Sequence, residues 1–114
     1  MKLLGELANE RESLAGIHRR RVPMLVKVAP DLGDEDLEAI SRALRQSSFD
    51  GVVATNTTIA RPSSLRSRHA GEAGGLSGAP LHEQSVRTIR GLRRHLGSSF
   101  PIVGVGGICD AGTA

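Results

Sequence analysis

The chain has 114 residues, 39% of them apolar and 24% charged, with a formal net charge of +3 and a single cysteine. That length and apolar content suit one domain with a core. No apolar run is long enough to span a bilayer, and one thiol excludes an internal disulfide and a multi-thiolate metal site. The basic balance comes from Arg19, Arg20 and Arg21 and from Arg87, Arg90, Arg93 and Arg94; with no Trp or Tyr, and Phe49 and Phe100 far from these clusters, base stacking has no platform and solvated helix faces are expected.

The opening apolar segment is too short and too acidic for a secretory signal, so nothing argues for export and the expected compartment is cytoplasmic. Leu3, Leu7, Leu14 and Ile17 keep helical spacing, which predicts an amphipathic helix from residue 2 to about residue 17, broken before Pro23. Leu25 to Ala29 reads as a short strand closed by Pro30. Asp34, Glu35 and Asp36 then place negative charge in the first turn of a helix with Leu37, Ile40 and Leu44 on one face. Gly51 to Thr55 is the next strand. The connection from Ile59 to Leu81 exceeds the usual length, which indicates an excursion over a site or a disordered segment. Its turn formers, Arg61-Pro62 and Gly74 to Gly78, favour the excursion. Pro80 precedes a helix with Val86, Ile89, Leu92 and Leu96 inward and Gly97 as its stop, and Pro101 to Val105 is a third strand.

Strands alternating with helices imply an α/β architecture with a parallel sheet, and apolar runs this continuous imply strands buried on both faces. A closed (β/α)₈ barrel takes about 250 residues. This chain supplies three such strands and stops after the last, so residues 1–114 are expected to be a piece of a single barrel domain.

Each strand ends in groups able to meet a ligand where a parallel sheet opens to solvent. Lys27 alternates with valines and either points into a strand-end cavity, where its charge would stabilise the reduced form of an electron-accepting ring such as a flavin, or snorkels to the rim. Asn56 and Thr57 offer a planar donor-acceptor group and a hydroxyl suited to a small molecule with carbonyl and N–H edges, or else close a local turn. Gly104, Gly106 and Gly107 let backbone amides approach a phosphate, or form a simple turn; they lack the spacing of a dinucleotide fingerprint. Gly74-Gly75-Leu76-Ser77-Gly78 is a second close-approach loop or a flexible hairpin. His18, His69, His82 and His95 share no ligand spacing and read as surface residues, and Cys109 has no nucleophile context.

Taken in order, VKVAPDL, DGVVATNTT, GGLSGAPL and PIVGVGGI resemble the dihydroorotate dehydrogenase family, most closely its membrane-associated, quinone-linked class, from about Pro23 to the end. The resemblance implies an FMN-dependent (β/α)₈ barrel that oxidises dihydroorotate to orotate in pyrimidine synthesis and passes electrons to a quinone. This chain would cover the fifth to seventh strands. By the same resemblance Lys27 and Thr55 are expected to contact FMN, Asn56 and Thr57 to bind orotate, and Gly78 and Gly107 to offer backbone contacts to the cofactor. The catalytic base, a serine in the quinone-linked class, is expected upstream of Met1, as is the helical extension that admits quinone at the cytoplasmic side of the inner membrane. The chain by itself is accordingly expected to be inactive. The alternatives are the soluble class of the same enzyme, another flavin barrel acting on a pyrimidine, and a non-catalytic module that keeps the site residues by descent.

Overall fold

Acidic side chains at Asp34, Glu35 and Asp36 meet the positive end of a helix dipole, and the helix they open runs Asp34–Gln46 (α2). In the computed structural model, which describes residues 2–114, it is flanked by α1 (Lys2–His18) and β1 (Leu25–Val28) before it and β2 (Gly51–Ala54) after it. A 3₁₀ turn at Ala79–Leu81 leads into α3 (His82–Leu96), and β3 (Ile102–Gly104) follows. Gly97, at φ +81°, stops α3 where the sequence places the stop.

The strands form one parallel sheet in the order β1-β2-β3. Its register pairs Val26 with Val52 and Val28 with Ala54, and Val52 with Ile102 and Ala54 with Gly104. Because side chains alternate across a strand, these residues share one face, and α2 and α3 cover it. The core there holds Val28, Leu37, Leu44, Phe49, Val52, Ala54, Leu92 and Leu96. The opposite face carries Lys27, Val53 and Val103 in one row, and Val103 is 47% exposed. The expectation of strands buried on both faces therefore holds for one face only, since among the described residues no element packs on the other.

Two helix faces also differ from expectation. Helix α1 forms as predicted, but Leu3, Leu7, Leu14 and Ile17 are exposed while Ala8 and Arg11 are buried. The cause is electrostatic: the Arg11 guanidinium, 7% exposed, donates to Asp50 at 2.8 Å and to the Ser48 carbonyl at 3.0 Å, and this orients the helix. On α3 Leu92 and Leu96 are buried and Ile89 packs half-buried against the core as expected, but Ser85, Thr88 and Gly91 are buried too and Val86 is only half-buried. Short hydroxyl side chains tolerate that burial because they find backbone acceptors: Thr88 donates to the Gln84 carbonyl at 3.0 Å, Ser85 to the His82 carbonyl at 2.9 Å.

Arg93 is structural rather than solvated, whereas Arg19, Arg20, Arg21, Arg87, Arg90 and Arg94 are exposed as expected. Arg93 donates to the carbonyls of Gly97, Ser98 and Phe100 at 2.7, 3.0 and 2.8 Å and so caps the end of α3. Arg94 pairs with Asp34 at 2.7 Å, which ties α3 to α2. His82 and His95 are half-buried rather than at the surface, whereas His18 and His69 are exposed as expected.

Asp50, at the start of β2, accepts the Met24 amide at 2.8 Å, Arg21 at 2.7 Å and Arg11 at 2.8 Å. The Met24 hydrogen bond, then the Arg21 contact, hold its carboxyl below the usual carboxylate range. A depressed pKa means that the stabilisation is fully present above the ordinary carboxylate range and is lost as pH falls through the depressed value. Asp50→Ala is expected to lower Tm by several degrees at pH 7 and by less in acid, because it removes the carboxylate that ties buried Arg11 to β2 and leaves it only Glu12, its neighbour on α1, at 2.9 Å. Thermal melts of both proteins across acid pH check this, and an equal difference at every pH would remove Asp50 as the titrating anchor.

Candidate functional site

The carboxyl ends of the three strands line one open cavity of about 420 Å³. Lys27, Thr55, Asn56, Thr57, Gly78 and Gly107, the six residues that the resemblance associates with a ligand, all line it, whereas Gly74 and Gly75 of the glycine loop do not. Lys27 stands on the open face of the sheet, beside Val53 in register, and is exposed. Its side chain therefore belongs to the cavity wall. Thr55 is 2% exposed; its amide bonds the Val105 carbonyl, and its hydroxyl points to the same oxygen at 3.5 Å.

Asn56 and Thr57 leave the strand end together. The Asn56 amide donates to the Val28 carbonyl at 2.8 Å, which fixes the backbone, while both side chains are exposed and, among the described residues, have no hydrogen-bond partner. The expected alternative, a local turn closed by these side chains, is not what forms. Thr57 sits against Gly75, where any side chain would collide with its hydroxyl.

Beyond β3 the chain turns through Gly106 and Gly107 at φ +128° and +73°, conformations that favour glycine. A Cβ at Gly107 would lie 2.6 Å from the His82 nitrogen, so the turn abuts the start of α3. The Ser85 hydroxyl also lies 2.8 Å from the Gly106 carbonyl, so its one proton is shared between that oxygen and the His82 carbonyl, next to the turn. Among the described residues, nothing accepts from the N–H groups of Gly106, Gly107 and Ile108. Gly78, at φ +81°, begins the 3₁₀ turn across the cavity. The wall thus combines an exposed cation, a planar amide, hydroxyls and backbone donors, a set matched to an anionic ligand with a planar polar edge.

Ser77 and Cys109 also line the cavity. Ser77 was visible in the glycine loop; Cys109 carried no sequence signal, because its position follows from the turn at Gly106 and Gly107. A larger omission is Asp31. Its carboxylate accepts from the Thr58 hydroxyl, from Gln84 at 2.9 Å and from the Ile59 amide at 3.3 Å. Desolvation pushes this carboxyl up, but the hydrogen bonds from Thr58, Gln84 and Ile59 outweigh it and the net displacement is downward. The long connection is an ordered excursion: Thr58 and Leu76 exchange backbone bonds at 3.1 and 2.8 Å, and Arg61 donates to the carbonyls of Glu72 and Gly74 at 2.7 and 2.8 Å.

The family model described as dihydroorotate dehydrogenase matches residues 2–114. The chain belongs to the dihydroorotate dehydrogenase family. Among relatives, it is 54% identical over 108 residues to a dihydroorotate dehydrogenase (quinone) of Xylella fastidiosa, covering 95% of this chain and 31% of that protein. It is 56% identical over 106 residues to the enzyme of the same name from Polaromonas naphthalenivorans, covering 93% and 30%. The crystal structure of Eimeria tenella DHODH in complex with ferulenol superposes with a TM-score of 0.79 at 38% identity, over 82% of this chain and 25% of that one. The chain therefore spans about a third of the length of the dihydroorotate dehydrogenases it matches. Among the described residues, no helix is long and apolar enough to cross a membrane.

Proposed function

We propose that this chain forms the strand-five to strand-seven part of an FMN-dependent (β/α)₈ barrel, a dihydroorotate dehydrogenase of the quinone-linked class. That enzyme oxidises dihydroorotate to orotate in pyrimidine synthesis and delivers the electrons to a quinone at the inner membrane. The observation that carries the reading is the convergence of Lys27, Thr55, Asn56, Thr57, Gly78 and Gly107 on one cavity. Relatives at 53–56% identity that bear the quinone-linked name support the class.

The residues fit the cofactor by their donor chemistry. Unpaired amides at Gly106 and Gly107 suit a phosphate, and Lys27 supplies a positive charge within the same cavity. FMN, when bound, supplies the two-electron acceptor. The Lys27 ammonium favours the anionic form of a ring beside it, Thr55 presents its hydroxyl and backbone at the strand end, and Gly78 and Gly107 allow close backbone approach. Asn56 and Thr57, with free amide and hydroxyl, orient the pyrimidine by its carbonyl and N–H edges. These residues bind and orient; none on this wall is assigned the proton transfer.

Lys27→Ala in the FMN-loaded enzyme is expected to lower flavin retention or slow flavin reduction by dihydroorotate by about tenfold or more, the equivalent of about 1.4 kcal/mol. Stopped-flow absorbance at the flavin band reads both. Unchanged retention together with an unchanged rate would make Lys27 a rim residue and remove it from the site.

A further inference from the structure

The Asn56–Thr57 pair is held without any hydrogen bond from its own side chains among the described residues, so its position must come from what flanks it. On the strand side the anchor is the Asn56 amide on the Val28 carbonyl, at 2.8 Å. On the far side it is Thr58, whose side chain is 2% exposed. The Thr58 hydroxyl donates to Asp31 and accepts the Ala60 amide at 2.9 Å, and its backbone exchanges bonds with Leu76 in the glycine loop. Asp31 in turn is fixed by Gln84 of α3 at 2.9 Å, and the same amide group reaches the Pro30 carbonyl at 3.2 Å. The Thr88 hydroxyl shares its one proton between the Gln84 carbonyl at 3.0 Å and the Pro30 carbonyl at 3.3 Å. Four segments meet at this one carboxylate: the end of β1, the loop after β2, the first turns of α3 and, through Thr58, the loop ahead of Gly78.

We infer that Asp31 is a positioning residue for the pyrimidine subsite, acting through the Thr58 hydroxyl to hold Asn56 and Thr57 at binding geometry; this rests on the assignment of those two residues to the substrate. Asp31 does not line the strand-end cavity. It sets the geometry from behind, as an outer hydrogen-bonding partner does for groups that contact a substrate. A carboxylate suits this task because it accepts from a hydroxyl, an amide side chain and a backbone N–H at once, whereas a neutral side chain of similar size leaves at least one of these donors unsatisfied.

The test is orotate binding and dihydroorotate steady-state kinetics in the FMN-loaded enzyme, with Asp31→Ala, Asp31→Asn, Thr58→Val, the double variant Asp31→Ala/Thr58→Val, and Asn56→Ala as a reference. Asp31→Ala is expected to weaken orotate and raise the dihydroorotate KM about tenfold or more, with flavin content and quinone KM within about twofold of the parent. Asp31→Asn, which keeps an acceptor for Thr58, should recover a large part of that loss. Thr58→Val should reproduce it, and the double variant should lose no more than the worse single change, because both remove the same bond. If Asp31→Ala does not fold, Asp31→Asn and Thr58→Val carry the test. Orotate affinity unchanged in these variants while Asn56→Ala loses it would overturn the role of Asp31 alone. Orotate affinity unchanged in Asn56→Ala would instead overturn the substrate assignment. Equal loss of flavin and orotate in Thr58→Val would mark the cluster as a fold anchor and contradict the inference.

Discussion

Replacing Asn56 by alanine is expected to weaken dihydroorotate by roughly 1–3 kcal/mol while leaving quinone turnover nearly untouched. The reason lies in how the side chain is presented. Its backbone is fixed to the Val28 carbonyl at 2.8 Å, yet the amide group has no partner among the described residues and faces the cavity wall shared with Lys27 and Thr57. With the backbone fixed, only the side-chain torsions are ordered when a ligand arrives, and the unpaired amide offers both its donor and its acceptor to binding. Removing it leaves polar groups of the bound pyrimidine without their partners, a loss that falls on that substrate alone. Kinetics with dihydroorotate and quinone varied separately measure the selectivity. Equal loss for both would assign the effect to general damage rather than to recognition.

Gly107→Ala is expected to be the most damaging single methyl in the site. At φ +73° an alanine costs roughly 1–2 kcal/mol in backbone conformation. Its Cβ would also meet the His82 nitrogen at 2.6 Å and the His82 Cα at 2.7 Å. Those atoms are backbone at the start of α3 and cannot swing aside as a side chain could. Either the turn or the helix must move, and the turn carries the unpaired amides while the helix carries Ser85, whose hydroxyl lies 2.8 Å from the Gly106 carbonyl. The expected result is a destabilisation of about 2 kcal/mol or more and loss of bound flavin on gel filtration. An alanine variant with parental Tm and full flavin content would show that the turn has slack the geometry does not suggest.

The elements that the sequence predicts well are those whose signals are local. The acidic first turn of α2, the short apolar runs of β1 to β3 and the Gly97 stop depend on neighbours within a few positions, and each appears within one or two residues of its expected place. The orientation of α1 was not legible, because the Arg11–Asp50 pair joins positions 39 apart and a leucine face outranks a buried arginine in any local pattern. Arg93 is the same kind of case: its three carbonyl acceptors lie beyond the helix end and look like nothing more than a loop in the sequence.

The site was legible in its wall and not in its support. Lys27, Asn56, Thr57 and Gly107 stand at strand ends, where an α/β sheet presents ligand groups, and the cavity gathers them. Asp31 and Thr58 also follow strands, and that placement was the available signal. Their contact spans 27 positions and is polar, so apolar periodicity carries no trace of it. The uncovered face bearing Lys27, Val53 and Val103 has a related explanation: an apolar run states that a strand can be buried on both sides, not that a second layer lies within the same 114 residues.

In the intact enzyme one cavity at the ends of β1, β2 and β3 is expected to hold both the flavin and the pyrimidine. A crystal structure of the enzyme containing this chain, grown with FMN and orotate, tests it most directly. The expected result is the flavin ring within contact of Lys27, its phosphate toward Gly107, and orotate hydrogen-bonded to Asn56 and Thr57. Density for FMN or orotate outside that cavity, or orotate bound with Asn56 still facing solvent, would contradict it.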